Sequence, residues 1–173
     1  MATALFEYRT VDKSDWGHGL WQDEPDKIQW VDEATGLDCL IVRGPSGALC
    51  GYVGVPDGHP YFNVDYAGCP NQPSCSESWC EHRPESVMGV HGGLTFSGFC
   101  HEGKEETGIC HKPVAGRPDR VWWLGFDCAH SGDLTPKYAR DLHWPRYGEV
   151  YRCRAYVESE VERLASQLAA LGK

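Results

Sequence analysis

The sequence predicts an α+β fold: a mainly antiparallel sheet, one long C-terminal helix across a face of it, and a cysteine-rich loop insertion. Three observations carry this. Strand-like runs bounded by turn residues lie at Leu37 to Val55 and Val121 to Cys128. Apolar residues recur at intervals of four and three between Val150 and Leu171, and the stretch from Pro56 to Pro84 shows neither period.

In chain order, Leu5 to Val11 alternates as a first strand, and a loop with Trp16, Gly17, His18 and Gly19 follows. Asp23-Glu24-Pro25-Asp26 ahead of Ile28, Trp30 and Val31 has the acids and proline of a helix start, so a short helix ending near Gly36 is expected. Leu37 to Arg43 is a strand, and Gly44-Pro45-Ser46-Gly47 turns it into Ala48 to Val55 as a hairpin. His91 to Phe96 and Val121 to Cys128 are the remaining strands. The long polar connection from Cys100 to Arg120 is of the kind that carries function. Val157, Val161, Leu164, Leu168 and Leu171 make the helical stripe, which packs on the sheet or, alternatively, forms a homo-oligomer seam; Gly172 stops the helix. Glu158, Glu160 and Glu162 are expected on its solvated face.

Strand alternation assigns faces. Trp122, Leu124, Phe126 and Cys128 share one side, with Trp123, Gly125 and Asp127 on the other. Leu49, Val53 and Val55 oppose Cys50, Tyr52 and Gly54, while Val90, Leu94 and Phe96 oppose His91, Gly93 and Thr95. The second face is therefore expected to carry a strip of Gly54, Gly93 and Gly125 with His91 and Asp127 nearby. Glycine inside a strand implies close approach of backbone or ligand, or else a bulge.

The 173 residues, 41% apolar and 24% charged, fit a single domain spanning 1–173. A net charge of −9 without any basic run disfavours extended nucleic acid as a partner, but leaves room for a small phosphorylated ligand. No apolar run approaches a membrane span, and the opening Met1 to Glu7 shows no basic region, long apolar run or cleavage site, so a cytoplasmic location without membrane contact is expected. In that compartment nine cysteines, an odd number, point to metal ligation rather than a disulfide framework.

The metal-ligating candidates are Cys69, Cys75, Cys80 and His82, four soft or borderline ligands in a segment, 66–84, with almost no core of its own. They suit one structural zinc in a closed tetrahedral shell. Cys100, His101, Cys110 and His111 are alternative ligands. His91, Asp127, His130 and Asp133 differ in character: carboxylates and imidazoles suit general acid–base work or a second metal of unspecified type. Tyr52, Gly93, Trp123 and Gly125 are expected to line the ligand site and His59 to stand at its rim. Cys128 falls on the core side, which argues against a nucleophilic thiolate. Neither the His-x-Glu and Pro-Cys-x-x-Cys of a zinc deaminase nor a P-loop lysine is present.

Gly58-His59-Pro60, Val90-His91-Gly92-Gly93-Leu94-Thr95 and Trp123 to Asp133 together resemble a group of small phage, prophage and bacterial proteins. The resemblance covers Gly51 to Asp133 and the terminal helix, with Cys69 to Arg83 as a variable insertion. It implies a phage-related context and no particular activity. The expectation is a protein recognising a small phosphorylated or nucleotide-like ligand, either as a metal- or His/Asp-dependent hydrolase that blocks host nucleotide signalling or as a protein that sequesters the signal. A zinc-stiffened inhibitor of a host protein is the third reading.

Overall fold

Gly47, at a φ of 86°, reverses the chain between β3 (Asp38–Arg43) and β4 (Leu49–Pro56), and this hairpin forms the middle of a six-stranded sheet. The computed structural model describes residues 3–70, 80–100, 104–139 and 148–172. β1 (Phe6–Tyr8) and β2 (Lys27–Val31) extend the sheet on one side, and β6 (Val121–Asp127) and then β5 (Phe96–Gly98) on the other. The order is β1-β2-β3-β4-β6-β5 and every pair is antiparallel. Two four-residue helices, α1 (Pro84–Val87) and α2 (Pro136–Ala139), lie in the connections, and α3 (Arg154–Leu171) crosses the sheet. The fold is α+β, as expected.

Three elements differ from expectation. Residues 27–31 form a strand, because Ile28 and Trp30 enter the core while Lys27 and Gln29 project to the opposite face. The acids ahead of them serve distant partners instead of capping a helix. His91 to Thr95 are not in the sheet: Gly92 and Gly93, at φ 65° and 86°, turn the chain, and Gly93 N–H donates to Val90 O at 3.1 Å. α3 starts at Arg154 because Val150 is engaged in a parallel bridge with Asp133.

Both faces of the sheet are covered. On one, Val157, Val161, Leu164 and Leu168 of α3 pack among Leu49, Val53, Val55, Leu124 and Phe126. Gly51 makes this fit, since a Cβ there would lie 2.5 Å from Val161 Cγ2 and 2.6 Å from Phe126 Cζ. The opposite face holds Leu40, Val42, Tyr52, Val121 and Trp123, and the 104–112 segment lies against that side. Lys27 Nζ donates to Cys110 O at 2.7 Å and to Glu105 O, and the Gln29 amide exchanges two hydrogen bonds with the Lys112 backbone, at 2.9 and 2.7 Å. The glycine strip expected to stay open on this side is filled by the protein's own rings. A Cβ on Gly125 would meet Tyr52 Cδ1 at 2.2 Å, and one on Gly54 would meet Trp123 at 3.1 Å.

Cys69 is bonded to Cys80 and Cys100 to Cys110, whereas Cys39, Cys50, Cys128 and Cys153 are free thiols. This corrects the expectation that the thiols would serve metals and not pair. Each bond closes a loop of ten or so residues with little apolar content, where cross-linking contributes about 3 kcal/mol by restricting the unfolded chain.

A buried charge network fixes the first strands. Asp26 accepts from Lys13 Nζ and Arg43 Nε, both at 2.7 Å, and from the Thr10 and Val11 amides at 2.8 and 2.9 Å. Burial opposes its charge, but Lys13, the Val11 amide and Arg43 outweigh that and hold its carboxyl below the ordinary range. A depressed folded-state pKa stabilises the fold above the unfolded value of about 3.9 and is lost as pH falls through the lower folded one. Asp26→Asn is expected to cost on the order of 3 kcal/mol near neutral pH and to flatten the stability loss below about pH 5, as read from urea melts across pH. Gly51→Ala, by overpacking against Val161 and Phe126, is expected to cost about 1–3 kcal/mol in the same melts with an unchanged denaturant slope.

Candidate functional site

β6 ends at Asp127, and the loop after it is built from local bonds. Asp127 Oδ1 accepts the Ala129 amide at 2.9 Å, Gly132 turns at φ 93°, and the Asp133 amide donates to His130 O at 3.0 Å. Asp133 is thereby carried inward, where only 4% of it is exposed. Its Oδ2 accepts from His91 Nε2 at 2.7 Å and from the His130 amide at 3.1 Å, and its Oδ1 accepts from Arg152 Nε at 2.8 Å. Burial would raise this carboxyl, but Arg152, His91 and the His130 amide together hold it below the usual aspartate value.

His91 is fixed from the other side by α3. Its amide donates to Glu160 Oε2 at 2.7 Å, and its Nδ1 lies 3.0 Å from the Tyr156 hydroxyl. Burial and then the Glu160 charge push that hydroxyl upward, so it stays protonated and donates. With the neutral ring protonated on Nε2, Asp133, His91 and Tyr156 form one continuous chain of carboxylate, imidazole and phenol. Arg152 lies over the Tyr156 ring at 4.9 Å, and its two terminal nitrogens have no partner among the described residues.

His130 completes the cluster. Its Nδ1 is buried without a hydrogen-bond partner, 3.8 Å from both Asp127 Oδ1 and Asp133 Oδ2. The ring lies against Gly92, where a Cβ would approach His130 Cε1 to 2.2 Å. The second residue of His91-Gly92-Gly93 therefore has to lack a side chain. Ligand atoms of His91, His130 and Asp133 fall within 4.8 Å of one another, as do those of Cys100, Cys110 and His111, and both groups have the composition of metal sites.

All four residues expected to carry chemistry, His91, Asp127, His130 and Asp133, thus meet, although His91 arrives from the α3 side and not across the glycine strip. Gly93 sits in the turn beside His91. Tyr52, Trp123 and Gly125 belong to the second core, with Tyr52 edge-on to Phe96 at 5.4 Å and Trp123 fully buried. His59 caps the far end of α3, its Nε2 2.9 Å from Leu168 O. That carbonyl is twelve residues beyond Tyr156, about 18 Å along the helix, so His59 is no rim for this cluster. Burial pushes the His59 imidazole toward its neutral form, and its Nδ1 accepts the Tyr61 amide at 3.1 Å.

Of the proposed zinc ligands, Cys69 and Cys80 are joined to each other, the His82 carbonyl accepts from the Tyr61 hydroxyl at 3.0 Å, and Cys75 lies outside the described residues, as does His101. Cys128 is buried and its thiol is pushed up by that burial, as its place on the core side implied. Arg152, Tyr156 and Glu160 were missed from sequence. Their signal was weak: Tyr156 and Glu160 stand four residues apart beside the apolar Val157 and Val161, where polar groups ordinarily face water. Glu158 is buried too, paired with Arg154 Nε at 2.8 Å, which corrects the solvated face.

Gly92→Ala tests the contact between the two loops. It is expected to cost on the order of 1–2 kcal/mol from the positive φ and the clash, and to shift the His130 imidazole resonances in NMR spectra, without altering any proposed ligand.

No helix among the described residues is long and apolar enough to cross a membrane. No protein-family model, curated protein or solved structure matches the chain.

Proposed function

We propose that the protein binds a divalent cation at His91, His130 and Asp133, with Asp127 beside them, and uses it to recognise and hydrolyse a small phosphorylated, nucleotide-like ligand. The observation that supports this most is the orphaned Nδ1 of His130, aimed between two carboxylates too distant for hydrogen bonds. Leaving a buried nitrogen unpaired costs about 1–3 kcal/mol, and a cation between it and the carboxylates removes that cost. Mixed imidazole and carboxylate ligands suit a borderline ion such as zinc or manganese.

Such an ion supplies charge for a phosphoryl oxygen and lowers the pKa of a bound water. The chain's own groups do the rest. With an ion on His91 Nε2, the ring proton would sit on Nδ1 and be donated to the Tyr156 oxygen, which would orient the ring as outer partners of metal-bound histidines do. Arg152, held by Asp133 through Nε, has two terminal nitrogens without a partner among the described residues, and two such nitrogens match two phosphate oxygens. The phage context implied by the resemblance makes a host nucleotide signal in the host cytosol the first ligand class to test. The structural zinc expected in the cysteine-rich insertion needs Cys69 and Cys80 as thiolates, and so belongs to the reduced chain.

Nucleoside phosphates and cyclic nucleotides, incubated with catalytic amounts of protein and zinc or manganese, provide the test. Release of more than about one equivalent of product, reduced at least ~100-fold in His130→Ala and Asp127→Asn variants of unchanged melting temperature, supports the proposal. Stoichiometric capture of a nucleotide that is released intact on denaturation makes the protein a sequestering one instead. Absence of any calorimetric metal binding that His130→Ala removes sinks the metal centre, and leaves the acidic surface as an inhibitor of a host protein the better reading.

A further inference from the structure

The loop that covers the second face of the sheet carries a separate ligand set. Cys100 follows β5, and Cys110 and His111 return beside it: Cys100 Sγ lies 3.9 Å from His111 Nδ1 and is bonded to Cys110. The three ligand atoms fall within 4.8 Å of one another. The backbone around them is held by Lys27 Nζ on Cys110 O and by the Gln29 amide on Lys112.

The disulfide accounts for the sulfurs and leaves the histidine unexplained. The His111 side chain is only 3% exposed, its ring stands 5.7 Å from that of Trp123, and its Nε2 is buried with no hydrogen-bond partner. Asp119 Oδ1 lies 3.7 Å from that Nε2, just beyond hydrogen-bond reach. One ring nitrogen on the sulfurs and the other facing a carboxylate is the arrangement of a metal-bound histidine, whose second N–H is oriented by an outer acid. Two thiolates and an imidazole select zinc, with water in the fourth position.

We propose that Cys100, Cys110 and His111 form a redox-gated zinc site, filled when the two cysteines are thiols and closed when they are joined. In the opening step a dithiol reductant gives two electrons to the Cys100–Cys110 bond and becomes a disulfide itself, while the two sulfurs each take a proton. On zinc binding both thiol protons pass to solvent, and the ion is held by the two Sγ atoms and His111 Nδ1. In either state the loop stays closed, once by a covalent bond and once by the ion, so the second core keeps its cover. No residue is shared with the His91 centre.

Cobalt(II) added to the full chain is the probe, because thiolate–cobalt bonds give a charge-transfer band that carboxylate and imidazole ligands do not. The band is expected in protein reduced with a phosphine and absent from the oxidised protein. Cys110→Ser should weaken it strongly, and His111→Gln should raise the zinc dissociation constant at least about 10-fold in competition with a chromophoric chelator. Cys69→Ser removes the thiolate site proposed for the reduced insertion, so the band should shrink there but persist, and be lost when Cys110→Ser is added; His130→Ala should leave it unchanged, which separates this site from the cysteine-rich insertion and from the hydrolytic centre. His111→Gln retains both sulfurs and can form the disulfide, so it decides the matter if Cys110→Ser fails to fold. The proposal is overturned if reduced wild-type protein shows no band, or if the band survives His111→Gln with full affinity and is lost in Cys69→Ser.

Discussion

The contact on which the rest of the structure depends is that of Val161 and Phe126 over Gly51. Because β4 has no side chain at that position, α3 rests directly on the central strand, and Val157, Leu164 and Leu168 follow along the same face. The helix is pinned at its C-terminal end as well, where His59 bonds the Leu168 carbonyl. This placement decides where Tyr156 and Glu160 fall, since they stand on the same helix beside Val157 and Val161. Sliding α3 by one turn, about 5.4 Å, would carry both away from His91. The geometry of the polar centre is thus inherited from apolar packing, and the two cannot vary independently.

The other face shows how an antiparallel sheet is buried on both sides without a second helical layer. Lys27 and Gln29 look like outward-facing polar residues, yet both are almost fully buried. Their partners are backbone atoms of the covering loop, an economical way to satisfy a segment with no secondary structure of its own. Burial lowers the Lys27 ammonium pKa, and the charges of Glu105 and Glu106 oppose that shift. Tyr52 over Gly125 and Trp123 against Gly54 fill what would otherwise be gaps in this second core.

The parts of the fold that periodicity can specify were legible in the sequence: the β3–β4 hairpin, β6, the α3 stripe, and even which face each residue of β4 and β6 takes. Apart from the local turn at Gly92 and Gly93, what failed depends on partners far along the chain. Asp23-Glu24-Pro25-Asp26 has the look of a helix start, but Glu24 accepts from the Tyr151 hydroxyl at 2.6 Å and the Arg154 amide at 2.7 Å, and Asp26 serves Lys13 and Arg43. No local window contains those partners. Cysteine spacing likewise leaves metal and disulfide undecided, because both need thiols brought close and the loops do so without periodic signals. The polar centre was half visible. Loops dense in His, Asp and Gly announce it, whereas Arg152, Tyr156 and Glu160 are hidden among the ordinary polar residues at the start of an amphipathic helix.

Charge at the centre bears on what it can hold. The second oxygen of Glu160 lies 3.6 Å from Arg163 Nη1, so that pair contributes no net charge. Asp127 and Asp133 against Arg152 then leave a formal charge of −2 + 1 = −1 with neutral imidazoles, which attracts a cation and repels phosphate. A bound divalent ion would reverse the balance to −1 + 2 = +1, and the Arg152 nitrogens without a partner among the described residues would gain a neighbour of like sign. The site in this form turns from a cation trap into an anion trap, with Asp133 spent on Arg152 through one oxygen and on the ion through the other. For the proposed function this sets an order of assembly: metal first, phosphorylated ligand second. With the proposed ion in place, the same electrostatics would let a chain of net charge −9 attract a polyphosphate at one point while its other acidic surface favoured no extended nucleic acid.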